Sequence, residues 1–328
     1  MFSLSLDPIS VQQFLVEKNW LFPEEEVQQT EVPGAGNMNF TIRVKTNRRS
    51  FILKQSRPYV EKYPQVPAPA DRVLREGEFY GLTARIPELA ARTPQLLAID
   101  QEQSVLQLED LGVGSDFTGM YAGNKQLSTK DVSELLDFAL VLHDSFEALP
   151  KAERITNRAM RTLNHEHIFH YPFVNENGMD LDQILPGLEK SAAPVRQNSQ
   201  LKHRVKALGE QYLADGPCLL HGDYFPGSWL QTPRGIRIID PEFCFFGPRE
   251  FELGVMLAHL KLSAQSEAAQ DFALAYYRQK SPLDEGLAQS FAAVEVLRRL
   301  IGLAQLPLTL SLEERISLMD QATWTLTS

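Results

Sequence analysis

Short segments of alternating hydrophobic and polar residues predict strands in the first third of the chain. They lie at 40–44, 51–54, 96–99 and 104–108, and turn-forming or polar residues separate them. Short strands joined by tight turns form antiparallel sheets. The pattern therefore predicts a small antiparallel sheet within residues 1–108.

Hydrophobic residues recur at helical spacing through much of the remaining chain. Residues 130–149 carry them on one face, and 251–260 and 292–304 are also predicted to be helical. A chain of 328 residues can form one large core or, more readily, two lobes. We therefore expect an α+β protein with a sheet-containing lobe at 1–108 and a larger, mainly helical lobe at 109–328.

The composition narrows the class of protein. Hydrophobic residues make up 43% of the chain and charged residues 23%, as in globular soluble proteins. The net charge of −10 argues against nucleic acid or an anionic membrane as a general partner. The two cysteines lack metal-ligand spacing, no membrane-spanning run is present, and no signal peptide is evident. A cytoplasmic protein is expected.

The polar residues with the most specific spacing lie at 221–242, in the segment HGDYFPGSWLQTPRGIRIIDPE. A short apolar run precedes this segment, which contains two predicted strands joined by a proline-glycine turn. A hairpin of this kind would bring four polar side chains to one end of one small sheet. These are Asp223, Ser228, Asp240 and Glu242.

This set of residues suits phosphoryl transfer. The Asp223 carboxylate can orient an acceptor hydroxyl and take its proton, and Ser228 follows at the spacing of the metal ligand in kinase catalytic loops. The Mg²⁺ that accompanies ATP prefers hard oxygen ligands, which Asp240 and Glu242 would add. Single acidic residues at loop ends are common, but four polar residues at this spacing are a specific signal. The predicted cofactors are ATP and Mg²⁺.

The predicted sheet carries further signals for nucleotide binding. A glycine-rich turn can bring its backbone close to phosphates because no Cβ is in the way. Lys54 ends a strand, where it could hold phosphates, and the predicted helix at 72–85 offers a carboxylate partner. Glu76 is preferred because it shares a helix face with Val73, and Glu78 is the alternative. The candidate contacts in the turn are Gly34, Gly36, Asn37 and Asn39.

Two other segments are candidates for ligand contacts. The backbone of Leu106 to Leu108 could hydrogen-bond adenine if the end of that strand is a hinge. Arg298 and Arg299 could hold substrate or phosphate oxygens if they face a pocket. The alternatives are a plain strand end and a solvated helix face.

The motif HGD-x4-S followed by a strand and IDPE resembles the aminoglycoside phosphotransferase/choline kinase superfamily, which is related to protein kinases. HGD-x3-GS together with DPEF-x3-GP is most similar to the 5-methylthioribose kinase family. Segments 36–39, 53–60, 109–111 and 298–302 resemble that family's glycine loop, lysine strand, hinge and Arg-Arg segment. The similarity therefore extends through both predicted lobes in order.

The resemblance implies a two-lobed, protein-kinase-like fold and transfer of the γ-phosphate of ATP to the 1-hydroxyl of methylthioribose. It also implies roles for individual residues. They are Asp223 as base, Asp240 and Glu242 as Mg²⁺ ligands, Lys54 on the phosphates, and Arg298 and Arg299 near the acceptor. Two departures concern the acceptor side: Tyr224-Phe225 replace the family's usual Leu-His, and the helical lobe looks short.

Two alternative functions remain open from the sequence. One is a related kinase that acts on another sugar, on choline or another amino alcohol, or on an aminoglycoside. The other is a pseudokinase that binds nucleotide without transfer. The expected partner is a small-molecule hydroxyl acceptor, and a homodimer is left open because the sequence does not define the oligomeric state.

Overall fold

The computed structural model describes residues 2–34, 36, 38–123 and 125–328. Its contacts divide the chain into two compact units. The first unit is Met1–Gly114 with Thr232–Cys244, and the second is Ser115–Gln231 with Phe245–Ser328. The units differ from the predicted lobes chiefly because the short segment Thr232–Cys244 belongs with the beginning of the chain.

The strands of the described chain are short. They are β1 (Val27–Glu31), β2 (Phe40–Thr46), β3 (Ser50–Gln55), β4 (Tyr59–Val60), β5 (Tyr63–Pro67), β6 (Leu96–Asp100), β7 (Val105–Glu109), β8 (Ser115–Asp116), β9 (Cys218–Leu220), β10 (Trp229–Thr232), β11 (Gly235–Ile238) and β12 (Phe245–Gly247). The four strands predicted in the first third of the chain are β2, β3, β6 and β7. β1 and the β4–β5 hairpin are additional.

Most of the helices lie in the second unit, and the first three along the chain belong to the first unit. The helices are α1 (Pro8–Glu17), α2 (Arg72–Thr83), α3 (Pro87–Ala90), α4 (Thr129–Ser145), α5 (Arg158–His165), α6 (Leu188–Gln197), α7 (Ser199–Leu213), α8 (Arg249–Leu262), α9 (Glu267–Lys280), α10 (Glu285–Ile301) and α11 (Leu312–Thr327). No helix within the described part of the chain is long and apolar enough to cross a membrane.

A five-stranded antiparallel sheet forms the centre of the first unit, in the order β1-β2-β3-β7-β6. Alternation along β2 buries Ile42 and Val44, which pack with Phe51 and Leu53 of β3 beneath α1. In the register of the sheet, Lys54 lies opposite Thr41 of β2 and Leu106 of β7. This residue is therefore held near the middle of the sheet.

Helix α2 lies close to this sheet because of a glycine. A Cβ at Gly77 would come within 3.0 Å of the Ile99 side chain and 3.2 Å of the Leu106 side chain, which is tighter than ordinary packing. The absence of a side chain at Gly77 therefore permits the close helix–sheet contact. This contact sets the distance between the buried face of α2 and the strands.

The two strands of the predicted hairpin are present as β10 and β11, but the apolar run that precedes them, β9, belongs to a different sheet. β9 pairs antiparallel with β12, so that Leu220 lies opposite Phe245, while β10 pairs with β8. The prediction that Asp223 follows a strand of the same small sheet as the hairpin is therefore wrong. The physical reason is that Phe245 and Phe246, both buried, offer β9 an apolar partner further along the chain.

Candidate functional site

A group of buried charged and polar side chains lies in the first unit, and we call it the lysine cluster. Its members are Lys54, Glu76, Asp240, Glu242, Asn39 and Arg72. Lys54 Nζ is 2.6 Å from Glu76 Oε2 and 2.6 Å from Asp240 Oδ1. The lysine predicted at the end of a strand is thus held between two carboxylates.

The structure distinguishes the two glutamates considered as partners of Lys54. Glu76 is fully buried on the face of α2 that meets the sheet. Glu78 lies on an exposed face and pairs with Arg75 of the same helix at 2.5 Å. The preference for Glu76 from its position beside Val73 is therefore confirmed.

Charges in the lysine cluster do not balance, because three carboxylates face two cationic groups. Burial would lower the pKa of Lys54, but the carboxylates of Asp240, Glu76 and Glu242 raise it, so the ammonium stays charged. Burial raises the pKa of Glu76 to about 7 against the attraction of Lys54, and Asp240 and Glu242 contribute to the rise. The excess negative charge favours binding of an additional cation.

Asp240 is the exposed member of the lysine cluster. About half of its side chain is accessible, whereas those of Lys54 and Glu76 are buried. Its backbone has a φ of +63°, in the left-handed region that aspartate and asparagine tolerate better than most residues. The residue thus combines an accessible carboxylate with a fixed ion pair.

Glu242 is linked to the glycine-rich turn through Asn39 and Arg72. Asn39 Nδ2 donates to Glu242 Oε2 at 2.9 Å, and Arg72 Nε lies 3.4 Å from the same oxygen. The fully buried Arg72 also donates to the carbonyl of Met38 in the turn and to three other carbonyls, those of Arg57, Pro69 and Tyr59. Arg72 therefore connects the turn with a proposed metal ligand, and this link was not predicted from the sequence.

Gly34 and Gly36 are the other described residues of the predicted turn. Gly36 N–H donates to the carbonyl of Gly34 at 3.0 Å, and a Cβ built at Gly34 would meet nothing within 4 Å. Asn37 lies outside the described residues. Gly34 and Gly36 therefore remain predicted nucleotide contacts on chemical grounds, through backbone groups without a side chain in the way.

The predicted adenine contacts at Leu106 and Leu108 are wrong. Leu106 pairs with Lys54 on one side and Ile99 on the other, and Leu108 likewise lies between β3 and β6. Backbone N–H and C=O groups of a strand flanked on both sides are used in the two ladders. The backbone that follows β7, beginning at Asp110, is outside these ladders and is the better candidate for a hinge.

A second group of charged side chains lies in the second unit, and we call it the arginine cluster. Its members are Asp223, Glu295, Arg298, Arg299 and His259. Asp223 follows β9 after Gly222, whose φ of +84° is one that glycine adopts without strain. Gly222 N–H donates to Glu252 Oε2 at 2.9 Å, which fixes the backbone immediately before Asp223.

Glu252 in turn forms a hydrogen bond with His143. The His143 Nε2 atom lies 3.1 Å from Glu252 Oε1, and its Nδ1 atom lies 2.6 Å from the hydroxyl of Tyr277. All three side chains lie in the interior, so His143 is a core histidine with satisfied hydrogen bonds. The loop that carries Asp223 is therefore supported by a buried polar chain.

Asp223 is positioned to act as a carboxylate with raised basicity. About a quarter of its side chain is accessible, and Oδ1 lies 3.6 Å from Arg299 Nη2. Burial raises the pKa of Asp223 above its ordinary value, while Arg299 and Arg298 oppose the rise. Ser228 Oγ donates to the Asp223 carbonyl at 2.9 Å, so this hydroxyl shapes the same loop.

The two arginines are buried, so their interpretation as a solvated helix face is wrong. Arg298 is 8% exposed and Arg299 5% exposed, and both pair with Glu295 one turn earlier on α10. Glu295 is not among the residues predicted from the sequence, although its spacing from the arginines, i to i+3 and i+4, is the signal of a shared helix face. Burial would raise the pKa of Glu295, but the two guanidiniums hold it well below its usual range.

The donor set of the lysine cluster fits Mg²⁺ bound together with a nucleotide. Mg²⁺ is commonly held by one or two carboxylates, with phosphate and water oxygens completing its octahedron. The described residues contain no group of three or more His, Cys, Asp or Glu side chains arranged to hold a metal ion. Asp240 provides an accessible carboxylate, and Glu242 provides a second that is fixed by Asn39.

Comparisons with known proteins agree on one family. The sequence profile of the phosphotransferase enzyme family matches residues 30–288. A methylthioribose kinase of Bacillus velezensis is 28% identical, covering 88% of this chain and 82% of the relative. A methylthioribose kinase of Bacillus cereus is 24% identical, covering 92% and 85%.

The structural comparison gives the same fold. The choline kinase LicA from Streptococcus pneumoniae superposes with a TM-score of 0.53 at 13% identity, covering 96% of this chain and 98% of the other. The predicted combination of a small antiparallel sheet and a mainly helical part, of the protein-kinase-like type, is confirmed.

Proposed function

Because the chain belongs to the phosphotransferase enzyme family, we propose that it transfers the γ-phosphate of ATP to a hydroxyl of methylthioribose or a closely related sugar. Lys54 between Glu76 and Asp240 is the observation that carries the proposal. A buried ammonium with an accessible carboxylate beside it is the arrangement that kinases use to hold nucleotide phosphates and their metal. The sugar is supported by the methylthioribose kinases that resemble this chain.

The first unit would bind the nucleotide. Lys54 would contact phosphate oxygens, held in place by Glu76, and the backbone after β7 would bond adenine. Asp240 and Glu242 would hold Mg²⁺. When bound, Mg²⁺ would neutralise phosphate charge. The role of Lys54 requires that it keep its charge, which the surrounding carboxylates favour.

The second unit would bind the acceptor. The Asp223 carboxylate would accept a hydrogen bond from the acceptor hydroxyl, orient it for in-line attack and take its proton. Burial raises the pKa of Asp223, which makes its carboxylate a better proton acceptor than an exposed one. Ser228 would keep the loop in shape through its bond to the Asp223 carbonyl, and a role for its hydroxyl on the metal remains part of the proposal.

The arginine cluster favours an uncharged, hydroxyl-rich acceptor over a cationic one. The carboxylates of Asp223 and Glu295 already lie beside guanidiniums, so neither is free to pair with the ammonium groups of choline or an aminoglycoside. Guanidinium N–H groups are donors without acceptor capacity, so they suit hydroxyl oxygens. The charges of this cluster therefore support a sugar over the two amine-containing alternatives.

The test is ADP release from Mg-ATP with methylthioribose, beside a panel of other sugars, amino alcohols and aminoglycosides. The proposal expects release with methylthioribose or a close analogue and little with cationic acceptors. Turnover confined to an amine would reject the sugar but keep the kinase. Nucleotide binding without turnover on the whole panel would favour a pseudokinase.

Glu76→Gln is expected to raise KM for ATP by about tenfold or more, because Lys54 loses the buried carboxylate that orients it. Glu78→Gln, on the same helix, is the matched control and should leave KM within about twofold, because exposed ion pairs contribute little. Steady-state kinetics with varied ATP measure both. Equal effects of the two substitutions would reject the assigned role of Glu76.

A further inference from the structure

We propose that Glu295 is the positioning residue of the acceptor site, where it fixes both arginines and offsets part of their charge. The inference rests on the proposed function, because it assigns Arg298 and Arg299 to the acceptor. Glu295 is 1% exposed and lies one helical turn before both of them on α10. It contacts the arginines directly and would act on the acceptor only through them.

The carboxylate of Glu295 accepts hydrogen bonds from both guanidiniums. Oε1 accepts from Arg299 Nε at 2.6 Å, and Arg298 Nη1 lies 3.1 Å from Oε1 and 2.9 Å from Oε2. Hydrogen bonds between charged groups of this length are among the stronger ones in proteins. Both side chains are therefore held by one carboxylate.

Arg298 depends on Glu295 more than Arg299 does. Within the described chain, the guanidinium of Arg298 hydrogen-bonds to Glu295 alone, and its Nε atom is buried without a partner. Arg299 has a second acceptor, the carbonyl of Ala304 at 3.3 Å, and stacks over the Phe225 ring at 5.2 Å. Removal of the Glu295 charge should therefore release Arg298 first.

His259 of α8 lies next to Glu295. Burial lowers the pKa of His259 to about 4, so its ring is neutral at physiological pH. Its Nδ1 lies 2.6 Å from the hydroxyl of Tyr121, and its Nε2 lies 3.4 Å from Glu295 Oε1. A ring that accepts from Tyr121 at Nδ1 carries its proton on Nε2, facing the carboxylate.

The charge count indicates why the acceptor site needs this carboxylate. Arg298 and Arg299 would by themselves place two adjacent positive charges beside Asp223 and lower its basicity. Glu295 offsets one of those charges and Asp223 the other, so the four groups are close to neutral together. The site can then bind an uncharged sugar without attracting a strongly anionic ligand in its place.

The experiment measures acceptor KM, nucleotide KM and kcat for Glu295→Gln and for Glu285→Gln. The control substitution removes another ion-paired carboxylate from the same helix, that of Glu285 with Arg278. Glu295→Gln is expected to raise the KM for the acceptor about tenfold or more and to leave the KM for ATP unchanged. The reason is that the arginines proposed to bind the acceptor lose the carboxylate that orients them. Glu285→Gln should change none of the three.

Two further variants cover the case in which Glu295→Gln folds poorly. Glu295→Asp keeps the charge with a shorter reach and should recover part of the acceptor affinity. In an Arg298→Gln background, Glu295→Gln should raise acceptor KM by a smaller factor than in the wild type, because one of its two targets is gone. Additive effects on acceptor KM would reject the positioning role.

The outcomes separate the inference from the function on which it depends. Wild-type turnover with an unchanged acceptor KM in Glu295→Gln overturns the inference alone. A fall in kcat with both KM values unchanged indicates a smaller folded fraction and also overturns it. No turnover by the wild type on any acceptor overturns the proposed function and this inference together.

Discussion

Asp223→Asn is expected to lower kcat by about a thousandfold while the dissociation constant for ATP stays within about twofold. Asparagine keeps the size of the side chain but cannot take a proton from the acceptor hydroxyl. The residue lies in the second unit, with Arg299 as its charged neighbour, whereas Lys54 and Asp240 belong to the first. Nucleotide binding should therefore be little affected.

The loop around Asp223 should keep its conformation in this variant. The hydrogen bonds that shape it use the backbone, among them those from Gly222 N–H to Glu252 and from Ser228 Oγ to the Asp223 carbonyl. Asn at this position would also remove a carboxylate whose burial is unfavourable in the ionised form. The melting temperature should accordingly be equal to or above that of the wild type.

Single-turnover measurement of phosphoryl transfer, together with calorimetric titration of ATP, tests this prediction. Asp320→Asn, an exposed aspartate on α11, is the charge-matched control and should retain wild-type kinetics. A variant Asp223→Asn that keeps more than about a tenth of wild-type kcat would remove this residue from the role of base. Loss of ATP binding would instead point to a structural role.

The ion pair of Lys54 and Glu76 could be predicted from the sequence because each residue belongs to a regular element. Strand alternation and the helical face shared with Val73 both depend only on the spacing of nearby residues. The strand and the helix of the structure keep this spacing. The strand and helix were therefore placed nearly correctly, with boundary differences of a few residues. The same helical spacing places Glu78 on a different face from Glu76 and Val73, which is why Glu76 was preferred.

Features that depend on distant pairing could not be predicted in the same way. The short strand β9 pairs with β12, which follows it by more than twenty residues, and three-residue strands carry too little local pattern to identify a partner. The assignment of adenine contacts to Leu106 and Leu108 failed for a related reason. Both residues are in a predicted strand, but its position between β3 and β6 is a property of the sheet.

Glu295 could not be predicted as a buried site residue for a third reason. Its spacing from the arginine pair was visible, but helix α10 is buried on nearly every side from Ser290 to Ile301. A helix that is apolar on most faces gives no amphipathic stripe from which to decide which charged residues are inside. The burial of this carboxylate, and hence its significance, becomes apparent only when α8 packs against α10.

Substitution of Asp240 by asparagine is expected to lower activity without lowering the stability of the fold. Asp240→Asn should lower kcat at saturating Mg-ATP by about a hundredfold or more, equivalent to about 3 kcal/mol of activation free energy. The apparent Mg²⁺ requirement should rise at the same time, because one of the two proposed carboxylate ligands is lost. Binding of ATP without Mg²⁺ should be weakened far less.

The folded state should tolerate this substitution because of the charges around Lys54. Three carboxylates compete for two cationic groups in the lysine cluster, and repulsion from Asp240 contributes to the raised pKa of Glu76. Neutralising Asp240 removes that repulsion and leaves Lys54 paired with Glu76 at 2.6 Å. Asparagine also adopts the left-handed backbone found at this position, φ +63°.

Thermal unfolding without Mg²⁺ and kinetics across a Mg²⁺ titration decide between a functional and a structural role. Asp71→Asn is the control, since its side chain is 54% exposed and that of Asp240 is 53% exposed. One outcome is a melting temperature equal to or above that of the wild type, with a lower kcat and a higher Mg²⁺ requirement. This outcome would show that Asp240 serves catalysis, as a ligand of the Mg²⁺ bound with the nucleotide, and is not needed for stability. A lower melting temperature with an unchanged Mg²⁺ requirement would mean that its carboxylate chiefly stabilises Lys54.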